Sequence, residues 1–203
     1  MRNKFVAMIV FFAMLFSIVP APAFADVLEK SFPDVSATGY IVADVESGTV
    51  LFGKNADVQA APADLVKVMT AILAIESGNL DTEITVKNLP NLDGMNAVTV
   101  HLVKGERYTM RSLVEVMLVA SANDAAYVVA EGVAGSADKF VTLMNSKAKE
   151  LGMSNTVFKN PHGQDAEGQL TTAADMAKLA AHAMKSDTFR AMVKTQQVNW
   201  KGV

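Results

Sequence analysis

The chain contains no cysteine among its 203 residues, and only one tryptophan and three tyrosines. Without cysteine there is neither a disulfide framework nor a thiolate metal site, so the fold must be held by packing alone. Charge of one sign is lacking as well. Eighteen Lys and Arg stand against 21 Asp and Glu, a formal net charge of −3, which excludes the basic footprint of a nucleic-acid binder. There is also no apolar run of the roughly 20 residues that a membrane-spanning helix needs. The run at residues 5–19 falls short of that length, and no second one follows it.

What stands at the N-terminus is a leader. Arg2 and Lys4 precede the apolar run, and Ala23-Phe24-Ala25 supplies the small residues that signal peptidase requires, so cleavage is expected after Ala25. Residues 1–25 are read as a signal peptide and residues 26–203 as one globular domain at the cell wall or in the periplasmic space. An uncleaved N-terminal anchor is the alternative, and peripheral contact with the membrane is compatible with either. Loss of Arg2 and Lys4 takes the formal charge from −3 to about −5.

Along the mature chain, residues 40–44 and 49–52 are β-prone and joined by Glu46-Ser47-Gly48, which reads as a hairpin. A helix is expected to begin near Asp64 and stop at Gly78; with Leu65, Val68, Met69, Ile72, Leu73 and Ile75 it is apolar on nearly all sides and so central. Ile84-Thr85-Val86 and Val98-Thr99-Val100 read as short strands, with turns at Pro90-Asn91 and Asp93-Gly94. Thr109 should cap a helix ending at Ser121-Ala122-Asn123, after which helical character resumes. Ser136 opens another helix that Gly152 closes, and Thr172 with Asp175 resembles a capping box for a helix to about Lys185. Strands first and helices thereafter give an α+β class.

Three blocks carry a family resemblance. Pro62-Ala63-Asp64-Leu65-Val66-Lys67-Val68-Met69-Thr70 is one residue from the P-A-S-L-T-K-x-M-T pattern in which the serine of S-x-x-K is the nucleophile. Ser121-Ala122-Asn123 matches S-x-N. Phe158-Lys159-Asn160-Pro161-His162-Gly163, followed by Thr172-Ala173-Ala174-Asp175-Met176-Ala177, is close to F-x-N-P-H-G-L and T-A-x-D-M-A. In this order and spacing the chain resembles the serine-type D-alanyl-D-alanine carboxypeptidases, the low-molecular-mass penicillin-binding proteins. Ser121-Ala122-Asn123 in place of S-D-N, and the Asn160-Pro161-His162-Gly163 block, point away from a class A β-lactamase.

The resemblance implies a transpeptidase-like fold, an antiparallel sheet packed with a mostly helical part, and a peptidoglycan stem peptide ending in D-Ala-D-Ala as substrate. It implies β-lactams as ligands if the cleft is competent, and no cofactor or metal. In the family a neutral lysine takes the serine proton and an acyl-enzyme forms and is hydrolysed. Carried over, Lys67 is the base, Ser121 relays protons to the leaving group, and Asn123 holds the substrate amide. Asp64 stands where the nucleophile should be. Its carboxylate could form only an unstable anhydride, and its charge should keep Lys67 protonated. Read without the family, Asp64 is a helix N-cap with an i, i+3 ion pair to Lys67.

A second departure concerns the K-T-G strand that the family carries after its T-A-x-D-M-A helix. Lys194-Thr195-Gln196 lacks the glycine and Lys201-Gly202 the threonine. The expectation is a fragment of a longer protein or a derivative that needs a partner, with C-terminal sheet strands missing. His101, His162 and His182 show no metal-like spacing and are expected to be structural or on the surface. The twelve methionines read as core filler. Two functions follow: a carboxypeptidase homologue that is inactive or impaired, or a non-catalytic module that binds stem peptides or a partner.

Overall fold

The computed structural model describes residues 35–92 and 96–200. The expected signal peptide and the Asp93-Gly94 turn lie outside the described residues. The fold begins with an antiparallel hairpin of β1 (Tyr40–Ala43) and β2 (Val50–Lys54), registered Tyr40 to Lys54 and Val42 to Phe52, with a bulge before Ala43 meets Val50. Its turn is built by Asp44, whose Oδ1 accepts from the backbone N–H and the hydroxyl of Ser47 at 2.7 and 2.6 Å. Gly48 closes that turn at φ +70°, a conformation that costs glycine nothing.

Helix α1 (Val66–Glu76) is the axis of the molecule. Val66, Lys67, Met69, Thr70, Ala71, Ile72 and Ala74 are all buried, so the expected all-round apolar helix is central. It is approached by each of α2 (Met110–Ala120), α3 (Asn123–Ala134), α4 (Ala137–Glu150), α5 (Ala173–Ala183) and α6 (Asp187–Val193). Its two sides serve two clusters. Ile72 packs with Leu113, Met117 and Val129, and Met69 packs with Phe140, Met144, Met153, Phe158 and Leu179.

The helix starts follow from side-chain caps. Thr109, Ser136, Thr172 and Ser186 each accept from the backbone N–H three residues on, satisfying donors that the first turn leaves free. Thr172 and Asp175 form only half of the expected capping box. The Asp175 carboxylate goes instead to Asn155 N, Thr156 Oγ1 and Lys178 Nζ at 2.8 to 2.9 Å, tying α5 to the segment before it. Helix α6 was not anticipated; the Ser186-Asp187 start that opens it was the available signal.

A second small sheet pairs β3 (Glu83–Thr85) with β4 (Arg107–Thr109), Ile84 opposite Tyr108. The expected strand at residues 98–100 is absent. There the buried carboxylate of Asp124 accepts from Val100 N, and just beyond from Leu102 N, at 3.0 to 3.2 Å, so these N–H groups are not available to a ladder. Helices dominate and the sheets are antiparallel, as an α+β reading requires.

Candidate active site

The N-terminus of α1 is preceded by a short 3-10 turn, Ala63–Leu65, in which neither Pro62 nor Leu65 makes a side-chain cap. Asp64 sits inside this turn. It is therefore not the helix N-cap that its residue type suggested, because its carboxylate is drawn away from the backbone by two side chains. Lys67 Nζ donates to Oδ1 at 2.6 Å, so the i, i+3 ion pair forms, and Ser121 Oγ donates to Oδ2 at 2.6 Å from 57 residues away. Ser121 can reach because it is the left-handed link between α2 and α3, at φ +56° and ψ +34°.

The third side of Lys67 is closed by a loop. Its ammonium also donates to the His162 carbonyl at 2.7 Å, and one turn on, Thr70 Oγ1 donates to the Pro161 carbonyl at 2.7 Å. Gly163 then passes the backbone of Ala63 so closely that a methyl group on it would lie 2.1 Å from the Ala63 oxygen. Ala63 itself is held at φ +45°, costly for a residue with a Cβ. Position 64 is thus fixed from both sides by backbone.

The Lys67 side chain is 4% exposed and that of Asp64 is 65% exposed. Burial pushes the Lys67 ammonium below its ordinary pKa; the hydrogen bond and charge of Asp64 oppose this without cancelling it. Asp64 does act in the expected direction, toward the charged lysine, but burial decides the net shift. For Asp64, burial raises the pKa, while the bonds from Lys67 and Ser121 and the Lys67 charge outweigh it. Its pKa falls below the usual 3.8, so it is an anion at neutral pH.

Asn123, the fourth predicted residue, opens α3 beside Ser121. Its backbone N–H and Nδ2 both donate to the Val98 carbonyl, at 2.9 and 3.1 Å, while its Oδ1 is buried without a partner. Sequence reasoning missed three contributors: the Pro161 and His162 carbonyls, the close approach of Gly163, and Asp124. The Asn160-Pro161-His162-Gly163 block was visible as a pattern, but nothing in it says that carbonyls rather than the imidazole face Lys67. Among the described residues no three His, Asp or Glu gather as a metal would need.

His162 lies against this site, 9% exposed, with Nδ1 accepting from Gln164 N at 3.3 Å. Burial, and then the Lys67 charge, lower its pKa to about 4. A folded pKa below the unfolded value of 6.5 means that the unfolded chain binds the extra proton between those limits, so stability falls as pH drops from 6.5 to 4. The expected loss is about 3 kcal/mol at 1.36 kcal/mol per pKa unit. Urea unfolding across that range checks it: His162→Gln should flatten the slope, and an unchanged slope would contradict the assignment.

The arrangement gathers the Asp64 carboxylate, the Lys67 ammonium and the Ser121 hydroxyl at the start of α1. The family model for D-alanyl-D-alanine carboxypeptidase matches residues 26–201. The chain belongs to the D-alanyl-D-alanine carboxypeptidase family. Among its carboxypeptidase relatives, DacF of Bacillus subtilis is 34% identical over 164 residues, covering 79% of this chain and 42% of DacF. DacC of Escherichia coli is 38% identical over 178 residues, covering 82% of this chain and 44% of DacC. The chain therefore spans less than half the length of these curated relatives.

Solved structures of carboxypeptidases and transpeptidases agree on the fold. Penicillin-binding protein 6B of Escherichia coli superposes with a TM-score of 0.78 at 30% identity, covering 85% of this chain and 58% of that one. Penicillin-binding protein D2 of Listeria monocytogenes, in a cefotaxime-bound form, gives 0.66 at 33% identity, covering 77% and 66%. The α+β, transpeptidase-like expectation is correct.

Proposed function

We propose that this chain is a D-alanyl-D-alanine carboxypeptidase homologue, exported by the leader at residues 1–25, whose domain meets peptidoglycan stem peptides but does not form the family's acyl-enzyme. The observation that carries this reading is the ionised Asp64 carboxylate, hydrogen-bonded at once by Lys67 and Ser121. The two groups that would move protons in the reaction are both engaged by an anion. A carboxylate attacking the peptide carbonyl would give a mixed anhydride and release the amine, but the anhydride is a far more reactive acyl donor than the peptide, so the amine would take the acyl group back; the charge also repels a substrate that ends in a carboxylate.

Lys67 keeps the position of the family's base and Ser121 that of its proton relay. Asn123 offers a buried oxygen without a partner, in line with a role toward a substrate amide. A second reading, a binding module without catalysis, is favoured by the intact surroundings of position 64, where the loop carbonyls and Gly163 are packed as a site and not as a remnant.

The test is release of D-alanine from a peptide ending in D-Ala-D-Ala by residues 26–203, with Lys67→Met as the blank. The expected result is no release above that blank, with saturable peptide binding by calorimetry supporting the module reading. Release that Lys67→Met abolishes would overturn the proposal.

A further inference from the structure

Lys67 depends on a carbonyl from a segment with little regular structure of its own. Residues 159–169 form a loop whose Pro161 and His162 oxygens reach α1 at 2.7 Å each. Loop carbonyls hold such positions only where something inside the loop fixes them. The stem is fixed by Asn145, whose side chain exchanges two 2.9 Å hydrogen bonds with the backbone of Phe158. That leaves the path from residue 159 to residue 164 to be held by other groups.

Gln169 holds it. Its side chain is buried, at 3% residue exposure, and bridges both arms of the loop. Oε1 accepts from Lys159 N at 2.9 Å and Asn160 N at 3.2 Å, and Nε2 donates to the Gln164 carbonyl at 2.9 Å. Asn160 adds an inner tie, Oδ1 accepting from Gly163 N and Nδ2 donating to the same Gln164 carbonyl, both at 2.7 Å. His162 lies between the points that these two amides secure.

We propose that Gln169 is a positioning residue of the site, its amide closing the 159–169 loop so that the His162 carbonyl stays on the Lys67 ammonium. The inference rests on the reading of Lys67 as the base of the proposed function, but its test uses no activity. A carbonyl that accepts from the ammonium favours the charged form, and withdrawing it favours the neutral one. Gln169 therefore helps to set how readily the lysine gives up its proton.

Gln169→Met keeps the length and burial of the side chain and removes every hydrogen bond. The readout is the titration of the Lys67 ε-position by NMR of lysine-labelled protein, the signal assigned by its loss in Lys67→Arg. The expected result is a Lys67 titration moved to lower pH while that of Lys147, paired with Glu76 and Glu150, does not move. A folded Gln169→Met protein with an unmoved Lys67 would overturn the positioning role and leave the family reading untouched. Should Gln169→Met fail to fold, Asn160→Ser loosens the same loop from its inner tie. The same downward movement is expected there, and an unmoved Lys67 contradicts the proposal equally.

Discussion

Asp64→Ser is expected to give a chain that carries a covalent β-lactam adduct. The two partners a serine needs at this position are in place: Lys67 Nζ and Ser121 Oγ each lie 2.6 Å from an oxygen of the present carboxylate. Removing the carboxylate also removes the charge and hydrogen bond of Asp64 that resist the downward shift of Lys67, leaving the His162 carbonyl as the acceptor that still favours the charged form against burial. More of it is then neutral at a given pH, as a general base must be. Intact mass after incubation with a fluorescent β-lactam should show the added mass in Asp64→Ser. Asp64→Asn, which loses the charge without gaining a nucleophile, should show none. Adding Lys67→Met to Asp64→Ser should slow adduct formation by about 100-fold or more, the usual contribution of a positioned base. Equal rates with and without Lys67 would remove the lysine from the mechanism.

Gly163→Ala should cost the protein more stability than a methyl group at any other described glycine. Two effects add. The backbone at φ +92° disfavours any Cβ, and the new methyl group would overlap the Ala63 oxygen, a backbone atom that cannot swing aside. Relief requires the loop to retreat, which takes the Pro161 and His162 carbonyls from Thr70 and Lys67 and leaves a buried ammonium short of an acceptor. The combined cost is about 2–5 kcal/mol, summing a left-handed penalty of about 1–2 with an overpacking penalty of about 1–3 kcal/mol. For a domain of this size that is a fall in Tm of roughly 4–20 °C. Gly168→Ala is the control. It lies in the same loop at φ +74°, but its methyl group would meet only the end of the Lys159 side chain at 3.6 Å. It should cost about 1–2 kcal/mol, the left-handed penalty alone. Equal losses at the two glycines would show that the contact with Ala63 is not what constrains position 163.

The fold was legible where local chemistry decides it. Thr109, Ser136 and Thr172 announced helix starts, Gly48 a turn, and the all-round apolar run after Asp64 a central helix. What failed did so for tertiary reasons. The segment at residues 98–100 has strand-like residues, yet the Val100 N–H goes to Asp124, a carboxylate 24 residues away. Asp64 has the type of an N-cap, yet its oxygens are claimed by Lys67 three residues on and by Ser121, which only folding brings near. The site was legible as positions 64, 67, 121 and 123 through the family pattern. The carbonyls of Pro161 and His162, and the amide of Gln169 behind them, were not, because a backbone oxygen carries no mark in the sequence and a buried glutamine looks like any polar loop residue.

The central claim is that position 64 of this chain cannot hold an acyl group. The most direct measurement is the intact mass of the unsubstituted residues 26–203 after prolonged incubation with excess β-lactam. The account predicts a single species of unchanged mass. A species heavier by one β-lactam, lost on substitution of Lys67, would contradict it.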